Sequence, residues 1–356
     1  MADKKLLKHI IWVLLIVLAG FIVGGIYAYA DIYFNKHKKN VKEKFVLYVN
    51  PGASYQEVLD SLDGRVIKLK SFEKAAKRED LANHLTPGRY EFTPQTTNIA
   101  MVRAIKYGYQ SPMMVAISGY IRTPEILAKR LSSKFCADSL EFITQFSDPE
   151  FLDSLGVDSQ NLLSLVIPDS YEMYWTTTPK EFMLRMEKEH SKFWTEERLQ
   201  KAKNVGLTPK EVSVLASIVY CESKYVPEYG NIASVYLNRL KKGWRLCADP
   251  TVIFATGDFT INRVLRRHLA TPSPYNTYLN EGLPPGPIAI PTKEAIDGVL
   301  NPSKTEYMFF CANPKFNGSH RFAKNGAEHM RNANDYRRAL DSLLRARKAA
   351  EKQAAK

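Results

Sequence analysis

Near its N-terminus the chain carries one long apolar run, Ile10 to Ala30 (IIWVLLIVLAGFIVGGIYAYA), without a charged residue. Roughly 20 such residues suffice to cross the hydrocarbon core of a bilayer, so the run predicts a transmembrane helix over 10–30. A cleaved signal peptide is the competing reading. Its apolar region would be shorter, although Ala28-Tyr29-Ala30 resembles a cleavage site. Beyond a basic juxtamembrane linker at 31–44 the pattern breaks into short segments. Phe45 to Val49 alternates and is rich in β-formers, predicting a strand, and Pro51-Gly52 turns into a helical pattern over Ser54 to Leu62. A second strand is expected at Val66 to Leu69 and a helix at Ser71 to His84. A Pro87-Gly88 turn then leads into a strand at Arg89 to Phe92, a helix at Thr97 to Lys106 and a strand at Met113 to Ile117. Residues 45–118 thus form a small α+β module.

From Thr123 to Trp194 the pattern is mainly helical, interrupted at Val166 to Tyr171, where the chain must leave a helix before Pro168. Thr208-Pro209-Lys210-Glu211 reads as a capping box with proline at the first helical position, starting a helix that runs to about Glu222. A further helix covers Gly230 to Lys242 and stops at Gly243. The stretch after Gly243 is rich in loops. Tyr307 to Phe310 reads as a strand paired with His320 to Phe322 through an Asn317-Gly318 turn. These elements make a larger mixed domain at 119–342, followed by a basic tail at 343–356.

Two charged residues break the apolar faces. Leu215, Ile218 and Val219 precede Glu222 at helical spacing, so the carboxylate shares their face. Burial disfavours the charged form of a carboxylate and raises its pKa, which suits a general acid near neutral pH. The bland alternative is a core-edge glutamate paired with a neighbouring Arg or Lys. On the next helix Arg239 falls on the face of Ile232, Val235 and Tyr236. A polar cleft between the helices and a structural Glu-Arg pair both produce this pattern.

Composition is that of an ordinary globular protein of about two domains: 356 residues, 45% hydrophobic and 24% charged. The net charge of +13 points to an acidic partner, such as lipid headgroups or an anionic wall polymer. Nucleic acid is excluded as a partner on motif grounds, since no RNP-like, zinc-finger or helix-turn-helix signature occurs. The four cysteines form no CxxC pair and the seven histidines no HExxH, so neither a metal nor another cofactor is expected. If oxidised, the cysteines allow three pairings. Lys4, Lys5 and Lys8 precede the apolar run and Lys36, Lys38, Lys39, Lys42 and Lys44 follow it. Counting charge alone puts the C-terminal flank inside. A nine-residue leader before one apolar span has the layout of a signal anchor, and long domains translocate largely regardless of charge. The expectation is therefore a cytoplasmic leader at 1–9 and a chain otherwise outside the cytoplasmic membrane.

Several stretches together resemble the MltG/YceG family of endolytic murein transglycosylases. They are Ala216-Ser217-Ile218-Val219 leading to Glu222, Ala233 to Leu240, Asp249-Pro250-Thr251-Val252-Ile253, Thr271 to Thr277, Gly282 to Ala289, and His320 to Phe322 with Glu328-His329. The resemblance runs from about Phe45 to about Leu340. It departs at Tyr220-Cys221, where the family often has Glu-Lys, and at Ile290 and Met330, which replace residues commonly Asn. It implies an α+β protein with an N-terminal transmembrane helix, a small LysM-like α/β module and a larger catalytic domain facing peptidoglycan, in the inner (cytoplasmic) membrane.

It also implies one catalytic glutamate, which aligns with Glu222. The candidates for binding substrate or orienting the acid are Asn238, Arg239, Asp249, Thr251, Tyr275, Asn276, Thr277 and His320, with the orienting role favoured for Arg239. Expected partners are peptidoglycan glycan strands, membrane lipids and peptidoglycan synthases. Two other readings stand beside this one. The first is hydrolysis with Asp249 or Glu228 as base, and the second is a non-catalytic scaffold for wall synthases.

Overall fold

The computed structural model describes residues 2–354; residue 1 of the expected leader and residues 355 and 356 of the expected tail lie outside the described residues. The chain divides into two compact units, one through Met114 joined by Glu172–Thr177, the other made of Val115–Tyr171 and the chain from Thr178 on. Both helices and strands are present, so the fold is mixed α+β.

The first unit begins with α1 (Ala2–His37). It is the one helix among the described residues long and apolar enough to cross a membrane, judged by length and composition. The expected span lies inside it, but the helix continues past Ala30 through part of the expected linker. The reason is polar docking of its last two turns on the rest of the unit. β1 (Phe45–Val49) pairs antiparallel with β2 (Gly88–Phe92), Leu47 opposite Tyr90. Between them lie α2 (Tyr55–Leu62), started by a Ser54/Glu57 capping box, and α3 (Leu69–Arg78). The strand expected at Val66 to Leu69 does not form. Val66 makes an isolated bridge to Val41, and Leu69 already starts α3, where Phe72, Ala75 and Ala76 are buried at helical spacing. The helix expected to reach His84 ends at Arg78, because Asp80 takes a left-handed conformation before a short 3-10 turn at Leu81–Asn83. α4 (Asn98–Tyr107) follows, capped by Thr97 and stopped by a left-handed Gly108. Leu47, Leu62, Phe72, Tyr90, Met101 and Ile105 form the core of this unit. β3 (Met113–Ala116) carries the chain into the second unit.

The second unit is mostly helical. α5 (Pro124–Ser132), α6 (Ser139–Phe146) and α7 (Pro149–Ser154) precede β4 (Ser170–Met173). α8 (Pro179–Phe193) and α9 (Glu196–Val205) lead to α10 (Pro209–Glu222), whose Thr208/Glu211 capping box and first-turn proline match the sequence pattern. α10 is buried along Val212 to Val219 and packs on α9, α11 (Tyr229–Lys241), α12 (Asp249–Thr256) and α14 (Lys293–Leu300). α12 corrects the loop reading of the Asp249-Pro250 stretch. An aspartate in the first turn beside a proline is a good helix start, and Thr251 and Val252 are buried beneath it. A one-turn helix, α13 (Arg266–Leu269), lies in the following loop.

The C-terminal strand is displaced from its expected position. β5 (Phe309–Ala312) pairs antiparallel with β6 (His320–Ala323), Phe310 opposite Phe322. α15 (Gly326–Ala354) then runs unbroken through residues 343–354, so this part of the expected tail is helix.

Candidate active site

Glu222 is the last residue of α10. Its Oε1 accepts a hydrogen bond of 2.6 Å from the Tyr236 hydroxyl on α11. Tyr236 is fully buried, held edge-on against Phe310 with ring centroids 5.9 Å apart. Burial pushes the Glu222 carboxyl from its ordinary 4.5 up to about 7, and the negative charge of Asp249 pushes the same way. The Tyr236 hydrogen bond and the Arg239 charge pull it down. The balance leaves a carboxyl that holds its proton near neutral pH, as a general acid requires. Tyr236 itself is raised well above its ordinary value by burial and by the adjacent Glu222, so it remains a donor.

Asp249, at the start of α12, completes this polar group, and its Oδ1 accepts a bond of 2.7 Å from the Tyr278 hydroxyl. Arg239, expected to orient Glu222, does not bond it directly. Its Nε donates to the Met308 carbonyl at 2.8 Å and an Nη donates to the Leu246 carbonyl. Its guanidinium lies over the Tyr236 and Phe309 rings. Its charge lowers the Glu222 pKa, and the same guanidinium lies against the ring of Tyr236, which bonds Glu222.

The other expected residues are mostly engaged with the protein itself. Asn238 Nδ2 donates to the Thr305 and Tyr307 carbonyls at 2.9 and 3.0 Å, tying α11 to the segment before β5. Thr251 and Thr277 are buried and share a hydroxyl contact of 2.8 Å, while Ala248 N–H donates to Thr277 Oγ1. Asn276 is buried and donates to the Leu269 and Thr271 carbonyls. Thr251, Thr277 and Asn276 thus hold the loops around Asp249 by satisfying backbone groups there. Tyr275 stacks at a tilt on Phe254, centroids 4.6 Å apart. His320 donates its backbone N–H to one oxygen of the buried Glu228, and its Nδ1 lies 2.9 Å from the other.

The roles of Tyr236 and Tyr278 do not follow from the sequence reading. The usable signal is that a tyrosine on an apolar helix face needs a partner for its hydroxyl once buried. Tyr120 has no local sequence signal either: its ring stacks on Tyr220, centroids 4.6 Å apart, just before Glu222 on α10. All four cysteines are free thiols. Burial pushes Cys221 up to about 12, so it stays protonated and inert beside the acid.

Tyr236→Phe removes the hydroxyl that bonds Glu222 and stabilises its ionised form. The expected result is a protein that folds as the wild type does, with the alkaline limb of its kcat/KM profile moved to higher pH. A pH series with both proteins checks this, and an unmoved limb would contradict the assigned contact.

A model of the YceG-like family matches residues 47–335, and the chain belongs to that family. It is 28% identical to an endolytic murein transglycosylase of Bacillus subtilis over 335 residues, covering 88% of this chain and 91% of that protein. An endolytic murein transglycosylase of Streptococcus pneumoniae is 27% identical over 283 residues, covering 75% of this chain and half of the pneumococcal protein. The crystal structure of a YceG-like protein from Listeria monocytogenes superposes with a TM-score of 0.56 at 25% identity, covering 82% of this chain and 99% of that one.

Proposed function

We propose that the chain is a peptidoglycan lytic transglycosylase, a lyase that cuts MurNAc-GlcNAc bonds inside nascent glycan strands and so limits their elongation. The observation that carries this reading is Glu222, a single carboxyl raised to about 7 and held by Tyr236. Glu222 donates its proton to the glycosidic oxygen as the MurNAc C1–O bond breaks, releasing the GlcNAc side as an alcohol. The resulting Glu222 carboxylate then takes the proton of the MurNAc C6 hydroxyl as that oxygen bonds C1. The product is a 1,6-anhydroMurNAc end, and Glu222 is again protonated. No water is activated, so one carboxyl suffices where glycoside hydrolysis ordinarily needs two. Burial keeps Glu222 protonated, the Asp249 charge adds to that effect, and Arg239 and the Thr251/Thr277 pair hold the surrounding backbone.

The hydrolytic reading requires a second carboxylate acting as base. Both oxygens of Glu228 are engaged by His320. Asp249 is the remaining candidate, and Asp249→Asn separates the two readings. Under the lytic reading the variant keeps forming anhydro ends, with its alkaline limb moved to lower pH because a charge that raises Glu222 is gone. Loss of about 10²-fold or more in activity, the range of a missing acid–base group, would favour hydrolysis.

In this proposal α1 anchors the protein in the cytoplasmic membrane and residues 119–342 act outside it on peptidoglycan. Residues 45–118 form a LysM-like module. The antiparallel β1/β2 pair with α2 and α3 between its strands supports that module. Peptidoglycan synthases and membrane lipids are its further partners. Protease added to intact spheroplasts should degrade the outer domain, and full protection would contradict the placement.

A further inference from the structure

The last two turns of α1 are built into the first unit. Asn98 Nδ2 donates to the Asn35 carbonyl at 2.7 Å and to Ser71 Oγ at 3.0 Å, and Ser71 Oγ donates to Asn35 Oδ1 at 2.8 Å. Asn40 Nδ2 donates to Asn98 Oδ1 at 2.8 Å. Asn40, Ser71 and Asn98 are buried, so undocking the helix would strand their polar groups. Two ion pairs flank the network, Lys36 with Glu79 at 2.7 Å and Lys74 with Asp31 at 3.2 Å.

Ser71 and Lys74 place α3 directly alongside Asp31 to His37, the segment that follows the apolar run. A helix rises 1.5 Å per residue, so this segment climbs about 10 Å beyond Ala30. The headgroup layer on one side of a bilayer is about 5–8 Å deep. α3 is therefore held at headgroup height by the same contacts that splint it to α1. The acids Asp31 and Glu79 are taken up by Lys74 and Lys36, while the exposed Lys70 and Lys77 on α3 have no ion-pair partner among the described residues. Unpaired lysines at that height match anionic phosphate.

We propose that α3 and the last two turns of α1 form one rigid surface that seats the first unit on anionic phospholipid headgroups, with Lys70 and Lys77 as its lipid-contacting cations. The proposal rests on the reading of α1 as a membrane anchor. It makes the segment after the span a splint that fixes the height of the first unit.

Hydrogen exchange of the full chain in nanodiscs tests it, comparing phosphatidylcholine alone with phosphatidylcholine mixed with phosphatidylglycerol. Exchange over residues 69–78 is expected to slow at least about fivefold in the anionic discs, the contribution of one lysine near such a surface. The double substitution Lys70→Glu, Lys77→Glu should abolish the difference, and both positions are exposed, so the fold is kept. Residues 31–37 should stay slow in both lipids. A retained chain with equal exchange over 69–78 in the two discs overturns the headgroup surface, and fast exchange over 31–37 overturns the splint. A chain that does not stay with the discs overturns the anchor reading, and this proposal with it.

Discussion

Glu222→Gln is expected to lower glycan-strand cleavage by at least about 10²-fold to 10⁴-fold, the range for loss of a positioned acid–base group. Glutamine preserves the shape of the side chain and can still accept from the Tyr236 hydroxyl, but it has no proton to give the glycosidic oxygen. The same substitution should leave a well-folded protein, and its stability carries a second signature. The folded-state pKa of about 7 lies above the ordinary 4.5 of an unfolded chain. Folding thus disfavours the ionised form, and the wild type loses stability as pH rises from about 4.5 through 7. A shift of this size corresponds to about 3 kcal/mol when complete. The glutamine amide does not titrate, so the variant should gain on the wild type by up to about that amount between pH 5 and pH 8. Urea unfolding at both pH values measures it. An inactive variant with no such gain would mean that Glu222 is not held protonated by its surroundings.

Gly286→Ala is expected to produce the largest loss of stability from a single methyl group. A Cβ at this position would lie 2.1 Å from the Gln160 carbonyl oxygen, 2.8 Å from its carbon and 3.0 Å from the Tyr275 hydroxyl. Two of these atoms are backbone and cannot rotate away, so one of the two segments must move. The cost should reach about 3 kcal/mol or more, at the upper end for overpacking. For a unit of this size that lowers Tm by about 6–12 °C. Activity should fall as well, because Ile288 N–H, two residues on, donates to Ser217 Oγ on the helix that ends in Glu222. Gly282→Ala is the control: its added Cβ meets nothing within 4 Å, and only its positive φ opposes the change. A Gly286→Ala protein as stable as this control would refute the close approach.

The acid and the helix that presents it are legible in the sequence because their signals are local. A capping box, a first-turn proline and apolar spacing fix α10, and a carboxylate on that face stands out against it. The same locality makes β1, β2 and α4 readable. What cannot be read depends on which distant group a polar atom finds. Asn238, Asn276, Thr251 and Thr277 have the chemistry of sugar-binding side chains. In the fold their donors and acceptors go to backbone groups at Thr305, Leu269 and Ala248. Arg239 has the charge of a direct partner for Glu222, yet its N–H groups meet the Met308 and Leu246 carbonyls and the direct partner is Tyr236. Val66 to Leu69 has strand composition, but burial of Phe72, Ala75 and Ala76 extends the helical pattern back to Leu69. The linker at 31–44 departs from expectation for a related reason. It reads as a basic linker beyond the span, and Asn35 is instead bonded to Ser71 and Asn98.

Whether Glu222 drives lytic cleavage is read from mass spectrometry of the termini formed when the full chain, reconstituted in detergent, is incubated with uncrosslinked peptidoglycan strands. Internal fragments ending in 1,6-anhydroMurNAc are expected, absent with Glu222→Gln. Reducing MurNAc ends would contradict it in favour of hydrolysis, and intact strands with both proteins would contradict catalysis altogether.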